Sequence, residues 1–86
     1  MKLLQVTTAA TKAQVTTQNL YASVLIISAT AGNFLGDDTV TALTGVPLSA
    51  TVPLVITSYA PRGIPLNSLW VIGATGTANI LYEPSA

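Results

Sequence analysis

The chain contains no histidine and no cysteine. It therefore lacks the usual general base near neutral pH, the thiolate nucleophile and the common transition-metal ligands. Its charged side chains are three carboxylates, Asp37, Asp38 and Glu83, and three cations, Lys2, Lys12 and Arg62. Nineteen serine and threonine hydroxyls are present, but a hydroxyl is a weak nucleophile without an activating base. Asp37 and Asp38 are adjacent, and in a strand they would point to opposite faces. A two-carboxylate hydrolase would need the fold to bring Glu83 to within about 5–10 Å of one of them. Asp37, Asp38, Asn33 and nearby carbonyls are a thin ligand set for calcium, which takes about six to eight oxygens. The residues thus point away from an enzyme, with no catalytic, cofactor or metal site.

Two short motifs dissolve on inspection. Gly36-Asp37-Asp38 spells the triplet of viral RNA polymerases, but 86 residues cannot hold that domain, and the plain reading is a turn. Val71-Ile72-Gly73-Ala74-Thr75-Gly76 looks like a strand entering a dinucleotide-binding turn. That reading needs a helix and a second parallel strand, about 30 residues in all, and only ten residues follow Gly76. A hairpin turn explains it. Among the aromatics, Trp70 and Tyr59 would be the stacking platforms of a glycan-binding module. Trp70 lies in an apolar run, which favours a core or interface position. Arg62, in Pro61-Arg62-Gly63, is a candidate interface anchor in a proline-braced loop.

Composition narrows the class. Half of the residues are hydrophobic and 7% are charged, with zero formal net charge. An average soluble chain is about 25% charged. Disordered tails are poor in apolar residues, and three scattered cations do not neutralise a run of phosphates, so no nucleic-acid partner is expected. The stretch from Ala13 to Gly36 carries too many polar residues for a spanning helix, and Met1-Lys2-Leu3-Leu4 is interrupted by Gln5, Thr7 and Thr8. A soluble protein without a cleaved signal and without a membrane partner is the expectation. Near-zero charge and a high apolar fraction favour association.

Thirteen threonines, eight valines and six isoleucines suit pleated strands. Strands are expected over Lys2–Thr7, Leu20–Thr30, Phe34–Leu35, Thr39–Leu43, Val46–Leu48, Val52–Tyr59, Ser68–Ile72 and Ala78–Tyr82. Turns fall at the intervening glycines and prolines. Pro47 suits an edge strand. Thr8–Gln14 reads as a loop rather than a short helix, and Ala60–Asn67 as a loop. The fold class is all-β: a small antiparallel β-sandwich or barrel of about seven to eight short strands. It forms one domain over residues 1–86, with residues 1–12 as an extended N-terminal arm.

The alternation within these strands is weak. Leu20, Ala22, Val24 and Ile26 share one face, opposite Tyr21, Leu25, Ile27 and Ala29. Val55 and Tyr59 oppose Leu54 and Ile56; Leu69 and Val71 oppose Trp70 and Ile72. A small sandwich has one core, so one face of every strand points outward. Those outward faces are largely apolar, and no helical layer is available to cover them. The expected interface residues are Leu3, Leu4, Tyr21, Leu25, Ile27, Val55, Tyr59, Arg62, Trp70 and Ile72.

Three segments also resemble a known group. Gly32-Asn33-Phe34-Leu35-Gly36-Asp37-Asp38-Thr39-Val40, Asn67-Ser68-Leu69-Trp70-Val71-Ile72-Gly73 and Ile80-Leu81-Tyr82 are similar to stretches of small virion proteins of tailed bacteriophages. The group comprises capsid decoration (cement) proteins and head-fibre bases. The resemblance implies a structural protein made in the host cytoplasm and placed on the capsid exterior. There it would be a homo-oligomer, commonly a trimer, clamping the major capsid protein. The Pro47–Pro65 segment departs from that pattern, which leaves tail or collar roles open. A receptor- or glycan-binding fibre tip is the other reading. The Pro61–Pro65 loop and the N-terminal arm would reach the capsid neighbours.

Overall fold

The structure, a computed structural model, describes residues 1–41, 43–58 and 62–85. Two antiparallel sheets pack face to face as a sandwich rather than a closed barrel. The larger sheet contains β1 (Lys2–Thr8), β3 (Tyr21–Ala29), β6 (Leu54–Thr57), β7 (Ile64–Pro65) and β9 (Gly76–Pro84). Its order is β1-β9-β3-β6, with β7 also paired to β3. The smaller sheet contains β2 (Ala13–Gln14), β4 (Asn33–Gly36), β5 (Val46–Pro47) and β8 (Trp70–Gly73), in the order β2-β8-β4-β5. Pro47 does lie in an edge strand, where its missing N–H costs no ladder bond.

The core is made by alternate residues of the facing strands: Val6 of β1, Leu25, Ile27 and Ala29 of β3, Ala78, Ile80 and Tyr82 of β9, and Leu35 and Val71 of the small sheet. β3 carries a bulge. Its register with β9 shifts between Ala22 and Val24. The extra residue turns Ala22 onto the same inner face as Leu25 and Ile27. The expectation that Ala22, Val24 and Ile26 share a face is thereby corrected. Leu25 and Ile27, expected at an interface, are 0% exposed and belong to the core of the single chain.

Three other expectations change. Lys2–Thr8 is no free arm: it is zipped along β9 from Lys2↔Tyr82 to Thr8↔Gly76. Thr39–Leu43 is not a strand among its described residues. The Asp37 carboxylate accepts hydrogen bonds from the Thr39 backbone N–H and hydroxyl, and Val40 N–H donates to the Asp37 carbonyl. Such local bonds compete with a ladder and favour a turn. The expected loop before β8 is partly structured: Ile64 and Pro65 pair with β3, and a 3-10 turn over Leu66–Ser68 buries Leu66 completely.

Gly73 closes β8 with φ +150°, and a Cβ there would run into the Gly32 carbonyl and the Asn33 backbone. Gly73→Ala should lower stability by upwards of about 2 kcal/mol in urea unfolding. Leu25→Ala, which opens the centre of the core, should lose about 2–5 kcal/mol with the slope of the transition unchanged.

Candidate functional site

The outer face of the large sheet follows from its register. Leu3 of β1 sits opposite Leu81 of β9, Leu81 opposite Ile26 of β3, and Ile26 opposite Val55 of β6. All four side chains point away from the core. They form one apolar row across the four strands. Leu3 is 53% exposed, Val55 57% and Leu81 39%, while Ile26, in the middle, is half-buried between its neighbours. The row is bounded by polar positions. On one side Gln5, Asn79 and Ser28 share the next register step, and the Gln5 amide donates to Asn79 Oδ1 at 2.9 Å. On the other, Glu83 and Thr57 flank Val24, and Glu83 meets the N-terminal ammonium at 3.4 Å. An apolar stripe edged by polar residues is the profile of a protein-contact surface. Beside it, β1 ends the sheet, leaving an edge of unpaired backbone groups.

The small sheet is treated differently. Its outer face carries Trp70, Ile72, Phe34 and Gly36, all half-buried. The chain itself covers part of it. Val40, 5% exposed, lies against the position where Gly36 would carry a side chain, and Gly45 comes down on Phe34. Lys12 Nζ lies 5.3 Å from the centre of the Trp70 ring and also donates to the Asp38 carbonyl. The segment between β4 and β5 thus acts as the missing outer layer on this side, and Trp70 and Ile72 are correspondingly only partly available.

Two concavities accompany these faces. One, of about 380 Å³, is lined by Trp70, Gln14, Asn67, Ser68, Asp37 and Asp38. This mixture of an aromatic ring with carboxylates and amides is the composition a glycan site needs. The Gln14 amide, however, is engaged with the Asn67 carbonyl at 2.6 Å, and Lys12 lies over the Trp70 ring. The other, of about 330 Å³, is lined by Lys2, Arg62, Tyr21, Tyr82, Asn19 and Ser85, among others.

Of the expected interface residues, Leu3 and Val55 fall in the exposed row. Leu4 is half-buried against the core, Tyr21 and Arg62 line the second concavity, and Tyr59 lies outside the described residues. Leu81 and Ile26 were missed. The opposition of Leu81 to Ile80 and Tyr82 was legible, but only the register across β1, β9 and β3 shows that Leu81 joins Leu3 and Ile26. The carboxylates do not converge from one sheet: Glu83 lies on the outer face of β9, and Asp37 and Asp38 follow β4 in the other sheet. No group of three acidic residues assembles among the described residues. No protein-family profile, curated protein or solved structure matches the chain.

The hydroxyl and backbone N–H of Thr39 hold the Asp37 carboxyl below its ordinary value of 3.8. With a lowered native value, the contribution of these bonds is present above the ordinary value and is lost as pH falls through the native one. Thr39→Val, which removes the hydroxyl and keeps the shape, should move the Asp37 midpoint upward in an NMR titration of the carboxyl carbon.

Proposed function

We propose that this chain is a non-catalytic structural subunit of a larger assembly, a decoration protein that braces a phage capsid as a homo-oligomer, a trimer being favoured. The observation that carries the reading is the Leu3–Leu81–Ile26–Val55 row. It is apolar, contiguous across four strands, and covered by nothing among the described residues, whereas the other sheet is partly covered by its own loop. Burying such a face contributes about 25 cal/mol for each Å² of apolar surface removed from water. Low charge fits the same reading, since a subunit surrounded by neighbours needs little polar surface of its own. The resemblance of the Gly32–Val40, Asn67–Gly73 and Ile80–Tyr82 segments to phage virion proteins supplies the finer identification, with the major capsid protein as the partner. The role is mechanical, with stabilisation coming from buried area.

The glycan-binding alternative has one specific observation in its favour, the Trp70 cleft with Asn67, Asp37 and Asp38. It ranks second because the ring and the amide are already engaged within the chain.

Placing a charge in the row should break the assembly and spare the fold. Leu81→Asp and Ile26→Asp should reduce the native mass by light scattering to that of one chain, with thermal unfolding still cooperative, whereas Gln5→Asp should leave the mass unchanged. Antiserum against the chain should label the heads of phage particles from its source at regular positions. Label confined to tails, or absent from particles, contradicts the capsid assignment.

A further inference from the structure

The zero net charge conceals a segregation. Glu83 is paired with the N-terminal ammonium, and Lys12 is engaged by the Asp38 carbonyl and the Trp70 ring. Lys2 and Arg62 are then left on one side, and on the other the carboxylates of Asp37 and Asp38 outnumber the Lys12 ammonium beside them. Neither Lys2 nor Arg62 makes an ion pair among the described residues, yet both line the same cavity of about 330 Å³. Among the described residues no acidic side chain lines it. Tyr21, Tyr82, Asn19 and Ser85 complete much of the wall. The cavity is braced: the Ser85 hydroxyl donates to the Arg62 carbonyl at 2.6 Å, and its N–H to the Tyr21 carbonyl at 3.1 Å. Two cations lining one cavity beside tyrosine rings suit it to receive a carboxylate.

The acidic turn supplies the matching charge at the rim of the Trp70 cleft. Asp37 and Asp38 are exposed at the end of β4. The turn is held from within by the bonds of Thr39 and Val40 to Asp37, so little conformational entropy remains to be lost on docking. We propose that the Lys2–Arg62 cavity of one copy receives the Asp37–Asp38 turn of a second copy. This rests on the assembly reading above and adds its polarity. Turn and cavity are different surfaces, and with a trimer favoured over a reciprocal two-fold pair, each copy gives to one neighbour and takes from another. Such a head-to-tail contact closes into a ring when the rotation permits and otherwise extends as a filament. The charges fix the register, and the apolar row reinforces the same ring.

Charge reversal in the full chain tests this, with self-association followed by sedimentation velocity at low and at physiological salt. Arg62→Glu and Asp38→Lys should each weaken association by about tenfold or more, which is about 1.4 kcal/mol. Combined in one chain they should restore it towards the parent value, and the parent's association should fall as salt rises. The doubly reversed chain serves as the control for folding, since it carries both substitutions. Singles that associate like the parent overturn the proposal, as does a double variant no stronger than the singles. The outcome is separable from that of the docking row. If Leu81→Asp dissociates the assembly and Arg62→Glu does not, only the head-to-tail contact fails. If Arg62→Glu dissociates it and Leu81→Asp does not, the row fails and the head-to-tail contact stands.

Discussion

A two-sheet sandwich of this size has one core, and each sheet turns its second face outward. That constraint governs the rest of the molecule. The inner faces are filled by Leu25, Ile27, Ile80, Val71 and their neighbours. What distinguishes the two outer faces is how each is relieved of its apolar residues. On the small sheet, the segment after β4 folds back so that Val40 packs over Gly36, and Lys12, from before β2, lies over Trp70. On the large sheet, the register of four strands lines up Leu3, Leu81, Ile26 and Val55 with no such cover among the described residues.

The polar devices serve this arrangement. The Asp37–Thr39 bonds end β4 and redirect the chain over the small sheet, so the same turn that breaks the expected strand also supplies the local lid. Gln5, Asn79 and Ser28 bound the exposed row on one side and Glu83 with the N-terminus on the other. A row limited in this way specifies orientation as well as contact, since sliding by one register step would place apolar side chains against amides.

Much of the architecture was legible in the residues. β-branched runs punctuated by glycine and proline gave the strands, and Pro47 marked an edge. The Gly73–Gly76 stretch is a turn, and too little chain follows it for a nucleotide fold, but it is not the expected hairpin: β8 and β9 lie in opposite sheets and do not pair. The faces were harder. Period-two reading of β3 fails at the Ala22–Val24 bulge, which is a backbone event without a sequence mark of its own. It therefore assigned Leu25 and Ile27 outward, although both are central to the core. Thr39–Leu43 looked like a strand because threonine and valine favour one, and the carboxylate of Asp37 overrode that preference locally. Leu66, fully buried, was hidden directly after Pro65 in a stretch that reads as a loop. The exposed row itself is a property of register among β1, β9, β3 and β6. Those strands are distant in the chain, so no local pattern announces it.

The central claim is that the outer face of the large sheet is covered in the assembled protein. Residue-level carbene or hydroxyl-radical labelling, compared between the concentrated native protein and a dilute sample, reads this directly. The account predicts strong protection of Leu3, Leu81 and Val55 on assembly, with Leu43 and Val52, exposed elsewhere, labelled equally in both. Equal labelling of the row in both samples, with protection confined to Trp70 and Ile72, would place the contact on the other sheet and contradict it.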